Sequence, residues 1–161
     1  MLATPLQLAV ATATLANRGL KVQPHLLKEI RVTSDGSTKS FEPEKSRFDL
    51  RNSNHWQMMH DAMKRVVHGT WGTARLTGYG LKYKMAGKTG TAQVCGIAQD
   101  EEYDEETVPK HLRDHALFIS YAPVENPRIA VAVIVENGGQ GSSIAAPIAR
   151  RVMDAYLLGQ P

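Results

Sequence analysis

Apolar positions recur along this chain with two different periods, and the change of period marks the elements. Leu6, Ala9, Val10 and Ala13 form a stripe at helical spacing behind Thr4-Pro5. Thr4 can cap, Pro5 suits a first turn, and Gln7 completes a Thr-x-x-Gln capping box. The pattern predicts a helix over 5–17, with Gly19 as its left-handed stop. Trp56, Met59, Met63 and Val67 predict a second helix over 55–67, capped from Asn52, Ser53 or Asn54 and ended by Gly69. Core packing accounts for that stripe. Ile144, Ile148, Val152 and Tyr156 lie four apart, with Ala145, Ala149 and Met153 beside them. They predict a last helix over 144–158, with Arg150, Arg151 and Asp154 facing away and Pro147 in its first turn.

The extended segments follow a different rhythm. Pro24 breaks the chain, and 25–33 reads as a strand before the turn signal Ser34-Asp35-Gly36-Ser37. Residues 39–51 are polar, include Pro43, and read as a surface loop. Gly69, Gly72, Gly78 and Gly80 mark 69–80 as a loop, and 82–94 reads as extended. Residues 115–122 predict a strand and 123–127 a turn. The continuous run Ile-Ala-Val-Ala-Val-Ile-Val over 129–135 suits a central strand covered on both faces. Short turns make such neighbours antiparallel. The expected architecture is α+β, an antiparallel sheet of three strands flanked by helices.

Composition narrows the classes. The 161 residues fit one domain or a large piece of one. At 42% hydrophobic and 22% charged, the chain is globular in character. The net charge of +3 comes from mixed signs without a basic block, which argues against nucleic-acid binding. A single cysteine, Cys95, excludes an internal disulfide and a multi-cysteine zinc site, and reads as a packed small side chain. The pairs His55/His60 and His111/His115 lack a third ligand, and the acidic stretch 100–110 lacks calcium-loop spacing, so neither a metal nor another cofactor is expected. No run of 18 apolar residues spans a membrane, and residues 1–10 lack the features of a signal peptide. The opening on a helix cap reads as that of an excised piece.

The densest chemistry is Ala86-Gly87-Lys88-Thr89-Gly90-Thr91-Ala92-Gln93. A phosphate-binding loop would need glycine at 82, where lysine stands, and would run into a helix. Here an extended segment follows. The alternative is a strand offering its edge to a ligand. Gly90 lets another backbone approach. Thr89 and Thr91 share a face, and two hydroxyls beside Lys88 suit a carboxylate. The plainer reading is a polar edge strand without a ligand.

Lys-Thr-Gly is also the third motif of serine penicillin-recognising enzymes. The longer string resembles class B penicillin-binding proteins, and the likeness covers nearly the whole chain, weakest over 39–51. It includes Ala3-Thr4-Pro5-Leu6-Gln7-Leu8-Ala9, Ala16-Asn17-Arg18-Gly19, Pro24-His25-Leu26, Gly72-Thr73-Ala74, His115-Ala116-Leu117-Phe118 and Ala122-Pro123. The ending, from Val135-Glu136-Asn137-Gly138-Gly139 to Ala146-Pro147-Ile148-Ala149-Arg150, looks like the elongation-specific penicillin-binding protein 2 group. The resemblance implies the C-terminal part of a transpeptidase domain, occupying 1–161, of penicillin-binding/β-lactamase-like fold. It implies serine acyl transfer on D-Ala-D-Ala stem peptides and reaction with β-lactams. Lys88 would supply charge, Thr89 and Thr91 would hold the terminal carboxylate, and Thr91 N–H would donate to the oxyanion, with Gly90 completing the substrate strand. It further implies the periplasmic face of the inner membrane and a glycan-polymerising membrane enzyme as partner.

One departure limits this. None of Ser34, Ser37, Ser40, Ser46, Ser53, Ser120, Ser142 and Ser143 has lysine at +3 or asparagine at +2. The first two family motifs are absent, so the chain alone is expected to be inactive and to self-associate through uncovered apolar surface. A non-catalytic peptide- or β-lactam-sensing module of the same fold is the alternative, and an interaction domain with an incidental Lys-Thr-Gly is a third reading.

Overall fold

Thr4 caps the first helix as its spacing requires. Its hydroxyl accepts from Gln7 N at 3.2 Å, and Gln7 Oε1 accepts from Thr4 N at 2.8 Å. Helix α1 spans Pro5–Ala16 in the computed structural model, which describes residues 2–94 and 108–159. Cys95 and the acidic segment through 107 lie outside the described residues. The buried positions of α1 are Thr12, Thr14 and Ala16, whereas Leu6 is exposed. This corrects the expected stripe. Each buried threonine hydroxyl donates to the carbonyl four residues back, Thr12 to Leu8 and Thr14 to Val10, so these small polar residues can face the sheet.

Residues 20–50 form two small antiparallel ladders in place of one strand and a loop. β1 (Leu20–Val22) pairs with β4 (Lys45–Arg47), and β2 (Glu29–Arg31) pairs with β3 (Thr38–Ser40). The expected turn lies between β2 and β3, where Asp35 Oδ1 accepts from Ser37 N at 2.9 Å. The 25–33 strand shrinks to three residues because no long neighbour is available to pair with it.

Helix α2 covers Asn54–His68, and its buried face is Trp56, His60, Met63 and Val67. His60 takes the place expected for Met59. Its Nε2 pairs with Leu15 O at 2.9 Å and its ring lies 5.4 Å from that of Tyr121, so a polar ring is satisfied inside the core. A one-turn helix, α3 (Arg75–Gly78), interrupts the glycine-rich segment.

The main sheet has the order β5-β6-β7, all antiparallel, from β5 (Ala86–Ala92), β6 (His115–Ala122) and β7 (Ile129–Val135). Thr89 lies opposite Phe118, which lies opposite Val133. On one face Ala116, Phe118 and Ala122 meet Ala145, Ala146, Ala149 and Met153. On the other, Tyr121 and Ala86 meet Ala16 and Met63, with Leu15, Ile119 and Ala130 beside them. Helix α4 (Ala146–Leu158) therefore packs on one face and α1 with α2 on the other.

Two expectations are overturned here. β7 has helices over both faces, but it is the last strand of its sheet among the described residues, so all seven of its residues are half-buried. Helix α4 turns Ala146, Ala149 and Met153 inward, while Ile148, Val152 and Tyr156, and Ile144 just before the helix, are exposed. Alanines let the helix axis come close to the sheet, and the larger aliphatic stripe is left outside. Arg150 and Asp154 also do not face away, as described next.

Candidate functional site

β5 is the other end strand of the sheet, and its register is fixed along its length. Ala86 lies opposite Tyr121 and Ala92 opposite His115. Its first residues are buried and the rest open outward, with Lys88, Thr91 and Ala92 exposed and Thr89 and Gly90 half-buried. Gly87 is required for packing, because a β-carbon there would meet the Phe118 ring and the Ile119 carbonyl oxygen at 2.9 Å. The strand thus anchors at its start and presents Lys88 to Ala92 at an edge.

Lys88, Thr89, Gly90 and Thr91 are brought together by the strand itself. Thr89 Oγ1 lies 3.1 Å from Thr73 Oγ1, which ties the strand to the loop after α2. Lys88 Nζ donates to the Thr89 carbonyl at 2.7 Å, laying the ammonium along the strand. Among the described residues no carboxylate lies within ion-pair distance of Lys88. Lys88 and Thr73 line an open cavity of about 450 Å³, together with Arg65 and the highly exposed Trp71.

Three sets of contacts hold this strand in place. His68, at the end of α2, accepts from Met85 N through Nε2 at 3.1 Å. Burial holds the His68 imidazole below its ordinary pKa, and Lys84 and Lys64 add to the effect, so the neutral ring is favoured. On the far side, Tyr83 donates to Asp154 Oδ1 at 2.8 Å, and Arg150 approaches Asp154 at 3.4 Å. Arg150 also donates to the carbonyls of Thr77 and Tyr79 at 3.0 and 2.8 Å. These bonds turn Arg150 and Asp154 toward the segment leading into β5. The third contact is Gly141, whose position packs on the Gly90 backbone.

The loop carrying Gly141 is itself clasped. Asn137, at φ 53°, donates through Nδ2 to the carbonyls of His111 and Arg113, and its N–H donates to His115 Nδ1 at 2.9 Å. That last bond sets the His115 tautomer, with the proton on Nε2. The glycines of 137–141 suit a functional loop and a strand-to-helix turn equally in the sequence, and nothing there marks Gly141 as a contact of the Lys-Thr-Gly strand. Thr73 was legible only as part of Gly72-Thr73-Ala74. His111 and His115 serve this clasp, and among the described residues no group of three His, Cys, Asp or Glu side chains could hold a metal. No helix among them is long and apolar enough to cross a membrane.

Comparison with known proteins adds the following. Residues 1–154 match the family described as penicillin binding protein transpeptidase domain. The peptidoglycan D,D-transpeptidase MrdA of Haemophilus influenzae is 42% identical over 160 residues, which is 96% of this chain and 24% of that protein. The crystal structure of Pseudomonas aeruginosa PBP2 in complex with WCK 5153 superposes with a TM-score of 0.71 at 45% identity, covering 97% of this chain and 31% of that one. The PBP2 of a complex with MreC from Helicobacter pylori gives a TM-score of 0.72 at 25% identity, covering 98% and 25%. The chain spans about a quarter of the length of the curated relative it matches.

Proposed function

The chain belongs to the penicillin binding protein transpeptidase domain family, and from that premise we propose that it forms part of a peptidoglycan D,D-transpeptidase that cross-links stem peptides and binds β-lactams. The observation that carries the assignment is the open edge of β5, with the exposed Lys88, free of any ion pair among the described residues, beside the Thr73–Thr89 hydroxyl pair.

The substrate adds to β5 as an antiparallel strand, so its backbone is held by the strand's free groups. Lys88 supplies positive charge, and Thr89 with Thr91 holds the terminal carboxylate of D-Ala-D-Ala or its β-lactam mimic. A serine from elsewhere in a longer polypeptide attacks the D-Ala-D-Ala carbonyl and forms the acyl-enzyme ester. Thr91 N–H donates to the oxyanion formed in that step, a contribution of about 2.7–4 kcal/mol where such donors have been removed. The terminal D-Ala leaves, and an acceptor amine then takes the acyl group. No serine of this chain has lysine at +3, so the 161 residues alone are inert. The H. pylori PBP2 solved with MreC supports a place in the elongation machinery; a glycan-polymerising membrane enzyme as partner and the periplasmic face of the inner membrane follow from the family resemblance alone.

A fluorescent penicillin tests this directly. The purified 161-residue chain is expected to stay unlabelled. A longer polypeptide that also carries a Ser-x-x-Lys segment is expected to label covalently, and Lys88→Ala in it to slow labelling by at least tenfold. Labelling of the short chain overturns its inactivity, and unchanged labelling of the Lys88→Ala protein overturns the role of the strand.

A further inference from the structure

The short stretch that leads into β6 gathers hydrogen bonds from two directions. From the loop after β7, Asn137 Nδ2 donates to the carbonyls of His111 and Arg113 at 3.1 and 2.8 Å, and Asn137 N–H to His115 Nδ1 at 2.9 Å. Gly139 N–H donates to the Asp114 carbonyl at 2.8 Å. From just past the end of β5, Val94 N–H donates to Asp114 Oδ1 at 3.2 Å. Two residues of this hub stand where their types are costly. Asn137 carries a β-carbon at φ 53°, a region that favours glycine. Asp114 is a carboxylate at 5% exposure, where only hydrogen bonds offset its lost hydration. Backbone strain and buried polar groups of this kind collect where geometry must be held for a task.

What the hub holds is the stretch around Thr91. Gly141 packs on the backbone of Gly90, directly before Thr91. The clasp at Asn137 and the bond from Gly139 fix where that loop stands. Asp114 holds Val94, on the other side of Thr91. His115 itself lies opposite Ala92, and Ala116 opposite Thr91. Thr91 therefore sits between two points that are both tied to 111–115.

We infer that Asp114 and Asn137 are positioning residues for acyl transfer, which aim the Thr91 N–H at the oxyanion without touching the substrate. This role rests on the transpeptidase reading and adds to it the part of the fold that sets the donor's direction. A donor stabilises a transition state when it already points at the place where charge develops. A misplacement of about 1 Å caused by a distant change can cost about a hundredfold in rate. Binding of the intact substrate draws less on that aim, because its carboxylate is held by the hydroxyls of Thr89 and Thr91. Loosening the hub therefore lowers the acylation rate more than the affinity.

The longer polypeptide that carries a Ser-x-x-Lys segment tests this, with fluorescent penicillin at rising concentration to separate the saturated acylation rate from the apparent dissociation constant. Asn137→Gly keeps the left-handed backbone and removes both Nδ2 bonds. Asp114→Ala removes the side-chain bond to Val94. Each is expected to slow saturated acylation about tenfold, less than outright loss of an oxyanion donor, and to change the dissociation constant by no more than about twofold. Asp114→Asn keeps an oxygen for Val94 N–H and should stay near the parent rate. A merely structural role would instead reduce the amount of protein that labels and leave the rate of the folded remainder unchanged. That result, or parent rates in both variants, overturns the proposal, and a Lys88→Ala protein that still labels slowly then leaves the transpeptidase reading standing. Slowing by Asp114→Asn as large as that by Asp114→Ala overturns the part given to the Val94 bond. Parent-like labelling of the Lys88→Ala protein overturns the reading and this role with it.

Discussion

Gly141 lies on the backbone of Gly90: a β-carbon at 141 would stand 2.5 Å from the Gly90 carbonyl oxygen and 3.2 Å from its nitrogen. Neither of those atoms can move without shifting the strand that bears Lys88 and Thr89. Gly141→Ala should therefore cost about 1–3 kcal/mol of stability, the usual range for a forced overlap. Urea denaturation measures the loss, and amide exchange along β5 should quicken. A variant as stable as the parent would show that the loop yields to the added methyl.

The bond from Met85 N to His68 makes stability depend on pH. The folded imidazole has a lowered pKa, chiefly through burial, so the unfolded chain binds the proton more readily. The contribution of His68 is fully present above the ordinary histidine value of 6.5 and declines as pH falls from there toward the lower folded value. Denaturation midpoints measured from pH 8 downward should show that decline, and His68→Gln should reduce it. A decline of the same size in the variant would assign it to other groups.

Arg150 donates to two carbonyls that otherwise lack a described partner on α4, those of Thr77 and Tyr79. Arg150→Met keeps the aliphatic stem and removes both bonds, with an expected cost of about 1–2 kcal/mol. Asp154→Asn should cost less, because the amide oxygen still accepts from Tyr83. A chemical denaturation series decides the order, and a larger loss for Asp154→Asn would contradict it.

Tyr121 is fully buried, and its hydroxyl has no hydrogen-bond partner among the described residues. Burial pushes this phenol up to about 12, so it stays neutral under ordinary conditions. Removing an unpaired buried hydroxyl recovers its desolvation cost. Tyr121→Phe should leave stability unchanged or raise it by up to about 1 kcal/mol. Thermal unfolding that came markedly lower would mean that the hydroxyl has a partner.

The elements with a chemical signature were legible before any coordinates. The Thr4–Gln7 box fixed the start of α1 because its two bonds are local. The alternation around Lys88–Thr91 and the run 129–135 gave the long strands. What periodicity could not decide was which of two apolar stripes a helix buries. In α4 the stripe of larger residues predicted the core face, yet Ala146, Ala149 and Met153 occupy it. In α2 a histidine outranked a methionine because Leu15 O was there to bond it, a partner 45 residues away. The ladders β1–β4 and β2–β3 are three residues each and polar, so no repeating pattern announced them. Gly141 was visible as a glycine, but its neighbour Gly90 is near only in three dimensions.

β6 has a property that neither of its neighbours shares. It is paired without interruption on both sides, from Ala116 to Tyr121, against β5 and β7. The two end strands never touch each other within the sheet, so their ladders of hydrogen bonds are linked only through this middle one. Peeling away either outer strand leaves the other ladder intact, whereas displacing β6 dismantles both at once. The slowest-exchanging amides of the chain should fall in that six-residue stretch, and its rupture should be the event that commits the molecule to unfolding.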